Sequence, residues 1–329
     1  MPIDMHTHFL PRDLPDWAER HGPGPWPRLR PQADGSVMML LGDTPFMPLD
    51  ERFWSPERRI ADMDRLRLDM QVLSPIPLMT CYWAEPKANH AFARLLNEGI
   101  AAAVAANPSR FIGMATVPLQ DVALAIAELQ HARGVLGFRS VQIGTCPAGR
   151  ELDDAALFPF FAACRDLGVA VFVHPIEPIA GRERLGRYYL PNIVGNVIET
   201  ALAMSRFICG GVLERLPELK ICFAHAGGAF PAILGRLDKG FAVRAETREL
   251  IARPPRDYAR MIHVDSLSFD ASTLRLAIEK HGGGHVLLGS DYPFALGEPD
   301  PLAALQAAEL GVEPTAAIAN GNVRAFLGG

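Results

Sequence analysis

His6-Thr7-His8 places two imidazoles two residues apart in a short apolar run, MPIDMHTHF. Side chains on a strand repeat every two residues, so both rings would share one face and offer two nitrogen donors to a divalent cation. Three more residues with metal-binding or proton-transferring side chains end later apolar runs: His174 in VAVFVHP, His225 in ICFAHAGG and Asp291 in VLLGSDYP. A single histidine after an apolar strand usually packs as a satisfied core group. Four histidines and an aspartate at strand ends are harder to read as packing, because in a parallel barrel those ends meet at one mouth. Imidazole titrates near neutral pH, so such a set could move protons as well as bind metal.

The elements that would bring these residues together show as a rhythm. Eight short runs rich in Val, Ile and Phe lie at 3–9, 70–75, 111–118, 140–144, 169–175, 219–225, 261–266 and 285–291. They lack clean polar alternation, as strands buried on both faces do. Helical patterns fall between them at 56–67, 87–107, 121–133, 153–167, 197–215 and 272–280, and 314–327 reads as a closing helix. Ser55-Pro56-Glu57 puts a capping serine before a proline at the first helical position. Strands that alternate with helices predict an α/β fold, and eight of them a (β/α)8 TIM barrel forming one domain over 1–329. Residues 11–54 break the rhythm with HGPGPWPRLRPQADG and then SVMMLLGDTPFMPL. They predict a small β-hairpin insertion after the first strand, turning at Gly42-Asp43 and serving as a lid over the mouth.

Composition narrows the function classes. The chain has 329 residues, 49% hydrophobic and 21% charged, which is enough to bury a large core. Lys and Arg number 32 against 37 Asp and Glu, a balance that argues against a nucleic-acid partner. The opening residues lack the basic and apolar regions of a secretory leader, and the apolar stretches stop short of a membrane span. Cys81, Cys146, Cys164, Cys209 and Cys222 are odd in number and contain no CxxC pair, so they read as free core thiols. The expectation is a soluble cytoplasmic protein with no membrane partner.

The pattern of strand-end donors resembles the amidohydrolase superfamily. No lysine stands at the end of the fourth strand, which reads Gln142-Ile143-Gly144-Thr145, so a mononuclear site is implied. Longer stretches resemble the 2-amino-3-carboxymuconate 6-semialdehyde decarboxylase family: SPERRIADMDRLRLDMQVLSPIP, SRFIGMATVPLQ, GGVLERLPELKICFAHAGGAFP and LGSDYPFALGE. That resemblance implies His6, His8, His174 and Asp291 as metal ligands, with Zn2+ the leading ion and Mn2+ the alternative. It implies a catalytic role for His225 as acid/base beside Asp291, and a non-oxidative decarboxylation assisted by metal-activated water or hydroxide. Arg236, Met47, Arg52 and Phe294 are the implied substrate contacts, with Arg236 reaching the neighbouring site of a homodimer.

One departure bears on the substrate. The family grips its dianionic substrate with two arginines, and Met47 stands where one of them should be, with Asp50 at the second Arg of that segment. Methionine cannot imitate the rigid fork with which Arg pairs carboxylates. A small carboxylic acid with fewer carboxylates, aromatic or unsaturated, fits better, and Arg52 is a candidate substitute. The alternative function is a metal-dependent hydrolase of a lactone, ester or amide on the same scaffold, since fold alone does not select the chemistry.

Overall fold

Eight parallel strands close around a central axis in the computed structural model, which describes residues 1–33, 35–176 and 182–328. The barrel strands are Ile3–Phe9, Met70–Pro75, Phe111–Gly113 with Ala115–Thr116, Ser140–Gly144, Ala170–His174, Ile221–Phe223, His263–Asp265 and Val286–Leu287. Neighbours pair in chain order, and the third strand pauses at Met114, whose N–H still donates to Leu73 O. The ring closes where Met5 N–H donates to Leu288 O and Thr7 bridges to Tyr292. All eight expected strands are present, so the TIM barrel stands. The sixth and eighth end earlier than their apolar runs suggested, which leaves His225 and Asp291 in the turns that follow.

The first strand contains a bulge. Asp4 pairs with Gln71 but Thr7 pairs with Leu73, so one extra residue is accommodated between them. A bulge resets the alternation of side chains. Ile3 and Met5 join the plug of Val72, Met114, Phe172, Cys222 and Leu287 that fills the lower barrel. After the bulge His6 and His8 enter the histidine cluster at the mouth, whereas Asp4 lines a cavity outside the barrel.

Helices wrap the barrel largely as expected. Pro56–Leu66 starts on Ser55, whose Oγ accepts from Arg58 N–H, and ends at Arg67 in a left-handed conformation. The stretch expected as one helix over 197–215 is two, Asn196–Cys209 and Val212–Arg215, because Gly211 takes a left-handed φ of 71° between them. The helix Phe230–Val243 follows the sixth strand without being marked by any expected helical run, and it carries Arg236. Among the described residues no helix is long and apolar enough to cross a membrane.

The insertion is more than a hairpin. Pro27–Pro31, Val37–Leu41 and Thr44–Leu49 form a three-stranded antiparallel sheet preceded by the short helix Trp17–His21. The expected turn at Gly42-Asp43 is present, with Gly42 at φ 59°. The Pro-rich stretch was too irregular to read as the first of three strands, since Pro removes ladder donors and marks edges. Trp17, Trp26, Met39, Leu49 and Phe53 pack onto Ile76, Met79 and Phe92 of the barrel side. Burying each such side chain contributes about 1.5–3 kcal/mol, which ties the insertion down. Met47 and Phe294 lie partly buried against the same cluster.

Candidate metal centre

Five side chains converge where the strands end. His6 and His8 come from the first strand, His174 ends Ala170–His174, and His225 opens the tight turn His225–Gly227. Asp291 follows the eighth strand in a left-handed conformation. The His6 and His8 Nε2 atoms are 3.1 Å apart, and Asp291 Oδ1 lies 3.3 Å from the first and 2.9 Å from the second. Donor atoms of His6, His174, His225 and Asp291 all lie within 4.8 Å of one another. His174 packs edge-on against His8, with ring centroids 5.1 Å apart.

These residues fit a divalent cation on several counts. Donors about 2.1 Å from one ion stand about 3.0 Å apart at a right angle and about 3.4 Å apart at the tetrahedral angle, the range of the three separations above. Asp291 Oδ1 makes no hydrogen bond despite those short distances, and the buried His174 Nε2 has no partner. Buried polar atoms are nearly always satisfied, so donors aimed at a common point ask for a ligand.

Electrostatics agree. Burial pushes the His8, His174 and His225 rings toward their neutral forms, which leaves ring lone pairs free for coordination. Burial opposes charge on His6 too, but the Asp291 and Asp265 carboxylates outweigh it and raise its pKa to about 10. Burial likewise works against the Asp291 charge, and His6 with His8 outweighs it and holds the carboxyl well below its usual range. Two buried carboxylates, Asp265 and Asp291, thus face His6, and a divalent cation beside them would offset their charge.

The site is braced from behind. Ser74 Oγ lies 3.3 Å from His8 Nδ1 and donates to Gln142 Oε1 at 2.9 Å, while Gln142 Nε2 donates to Pro75 O at 3.0 Å. Gln142 therefore occupies the fourth-strand position where the sequence lacks a lysine. Arg59 is wholly buried and donates to His8 O at 2.7 Å and Thr7 Oγ1 at 2.9 Å beneath the Tyr292 ring. Burial lowers its pKa to about 10.

Asp265 escaped the sequence reading. It ends the seventh strand and accepts from His6 Nδ1 at 2.7 Å. Its signal was present in HVDS, which ends an apolar run with an aspartate just as LGSD does.

The expected substrate contacts divide. The Phe294 ring centroid is 5.1 Å from that of His8, so Phe294 borders the cluster. Met47 faces the apolar core of the insertion. Arg52 turns elsewhere: its Nε and Nη2 donate to Asp50 at 2.9 and 2.6 Å. It lines a cavity of about 280 Å³ with Arg58, Asp62 and Arg65, whose walls include none of the four histidines. The Arg236 side chain is exposed, and its guanidinium makes no hydrogen bond or ion pair with any described residue.

Comparison with known proteins places the chain in a family. The amidohydrolase family profile matches residues 3–329. The chain is 40% identical to 2-amino-3-carboxymuconate-6-semialdehyde decarboxylase of Dictyostelium discoideum, covering 100% of this chain and 92% of that protein. The chain belongs to the amidohydrolase family. Among the solved structures, this amidohydrolase resembles 5-carboxyvanillate decarboxylase from Sphingomonas paucimobilis, with a TM-score of 0.84, 26% identity and coverage of 99% and 98% of the two chains. It shares its fold with dihydroxybenzoic acid decarboxylase from Polaromonas sp., a structure with bound manganese and 2-nitroresorcinol, at a TM-score of 0.80 and 23% identity over 99% and 96% of the chains.

Proposed function

We propose that this amidohydrolase is a metal-dependent, non-oxidative decarboxylase of an aromatic or unsaturated carboxylic acid. The observation that carries the reading is the set of donor atoms from His6, His174, His225 and Asp291 within 4.8 Å of one another at the barrel mouth. Its full-length likeness to a decarboxylase favours carbon–carbon cleavage over hydrolysis. A divalent cation held by His6, His8, His174 and Asp291 would supply Lewis acidity at the carboxylate end of the substrate. Three imidazoles and one carboxylate suit Zn2+, and the manganese in relatives makes Mn2+ the alternative.

His225 handles the proton in this reading. Decarboxylation breaks one C–C bond, releases CO2, and leaves an electron pair on carbon that takes up one proton. His225 Nε2, 4.0 Å from Asp291 Oδ2, stands beside the donor set; neutral at rest, the ring can take a proton from a water molecule and pass it to that carbon as an acid/base carrier. Phe294, whose ring lies beside that of His8, supplies an apolar wall suited to a flat ring. The insertion over 11–54 acts as a lid, because its core reaches the site through Phe294.

Arg236 is assigned to the substrate of a neighbouring subunit in a homodimer. It shares the helix Phe230–Val243 with exposed Ile233, and that helix packs beside Asn196–Cys209, which exposes Ile198 and Leu202. Neighbouring exposed apolar side chains of this kind favour association. Five free cysteines favour a reducing, cytoplasmic location.

The test is direct. Chelator-treated protein should lose activity and regain it with Zn2+ or Mn2+, releasing CO2 from one or more of a panel of aromatic and unsaturated acids. Base uptake on lactones, esters or amides without CO2 release would assign the hydrolase instead.

A further inference from the structure

Asp265 sits wholly buried at the end of the seventh strand, and its two oxygens collect four donors. Oδ2 accepts from His6 Nδ1 at 2.7 Å and from the His225 backbone N–H at 2.9 Å. Oδ1 accepts from the N–H groups of Ala226 at 2.8 Å and Leu267 at 3.0 Å.

The two sides of this carboxylate do different things. Toward the first strand, it makes His6 Nδ1 a donor, so the Nε2 lone pair is presented to the cluster and the ring cannot spin. Toward the sixth strand, it fills a concave backbone site. His225 and Ala226 both adopt left-handed conformations, with φ 59° and 53°, which non-glycine residues rarely take. Successive N–H groups in such a turn point the same way and bind an anion. Asp265 is that anion, lodged at the residue from which the His225 imidazole projects.

Gly289 makes the arrangement possible. A Cβ at that position would lie 2.9 Å from both Asp265 Cβ and His6 Cβ, closer than packed carbons come. The segment just after the eighth strand is therefore bare of a side chain where the two residues meet.

We propose that Asp265 is a positioning residue that fixes two active-site groups at once, orienting His6 toward the metal and holding the turn that aims His225. The proposal rests on the metal-dependent reading given above. Because one carboxylate serves both groups, its loss should weaken metal binding and also slow the metal-loaded enzyme.

The experiment measures Zn2+ affinity of chelator-stripped protein by competition with a chromophoric chelator, and then kcat at saturating Zn2+. Asp265→Asn keeps the shape but puts an amide donor against one pair of N–H groups. It should bind Zn2+ about 10–100-fold more weakly. With its metal restored, it should remain slower by about tenfold or more. Phe207→Leu, a core change at a side chain that makes none of these hydrogen bonds and packs on Phe161 and Phe223, should lose thermal stability yet keep the wild-type Zn2+ affinity. Asp265→Glu, which restores charge but not reach, should recover less than half of the lost affinity on a logarithmic scale.

Should Asp265→Asn fail to fold, Gly289→Ala keeps the carboxylate and pushes it from His6, and it should weaken Zn2+ binding in the same direction. Wild-type Zn2+ affinity and wild-type kcat in folded Asp265→Asn, or wild-type affinity in Gly289→Ala, would overturn the proposal. An equal affinity loss in Phe207→Leu would overturn it too, by reducing the effect to general destabilisation. A wild-type protein that takes up no Zn2+ or Mn2+ would overturn the metal reading itself, a separate and recognisable failure.

Discussion

The Nε2 atoms of His6 and His8 stand 3.1 Å apart on one face of the first strand, although strict alternation from Met5 would have sent both rings outward. The bulge between Asp4 and Thr7 makes the difference, re-aiming the second half of the strand at the mouth. A pair of nitrogens at that separation is the nucleus of the donor set, and Asp291 completes it from the opposite end of the chain.

Removing donors from this set should separate ligands from the proton carrier. His6→Ala and Asp291→Ala should each lose bound metal and activity, because a metal site missing one of its ligands binds far more weakly. His225→Ala should retain stoichiometric metal while turnover falls by about 10²–10⁴-fold. Elemental analysis beside CO2 release checks both. Metal lost from His225→Ala would make that histidine a ligand.

Arg52 is occupied. Its fork closes on Asp50, and both side chains are partly exposed, so the pair itself contributes at most about 1 kcal/mol. Arg52→Ala should leave kcat/KM within about fivefold of wild type. Met47→Arg should instead shift preference toward dicarboxylic acids by about tenfold or more, since it returns a cation to the position where the resembled family carries a substrate arginine. Paired kcat/KM values for mono- and dicarboxylates decide the point.

Arg236 tests the dimer. Arg236→Ala and His225→Ala subunits should each be nearly inactive alone, and verified mixed dimers should recover part of the wild-type activity, because one of their two sites then carries no lesion. No recovery in such heterodimers would assign Arg236 to its own subunit or to no substrate at all.

Stability should fall in acid through a buried histidine outside the donor set. His281 is buried, donates from Nδ1 toward Ala259 O at 2.9 Å and leaves Nε2 without a partner. Burial pushes its pKa down to about 4. The unfolded chain binds a proton near 6.5 and the folded chain does not, so this group's contribution is intact above pH 6.5 and declines as pH falls toward 4. Urea unfolding of wild type and His281→Gln should show the wild-type margin shrinking by about 2 kcal/mol between pH 7.5 and 5. A margin unchanged with pH would mean that His281 is not the group responsible.

Much of the molecule was legible in one dimension. Eight apolar runs without polar alternation specify strands covered on both faces, and a parallel barrel is the arrangement that covers eight of them. Because such a barrel gathers its strand ends, His6, His8, His174, His225 and Asp291 could be named from order alone. What required the tertiary structure was everything set by a partner distant in sequence. The bulge that turns His6 inward arises from pairing with the second strand, and the bond from His6 to Asp265 spans 259 residues. Arg52 pairs with Asp50 because a local carboxylate was within reach, which no spacing rule can weigh against a pocket distant in sequence. Periodicity reports which face of an element is buried; which side chain meets which is decided only when the elements pack.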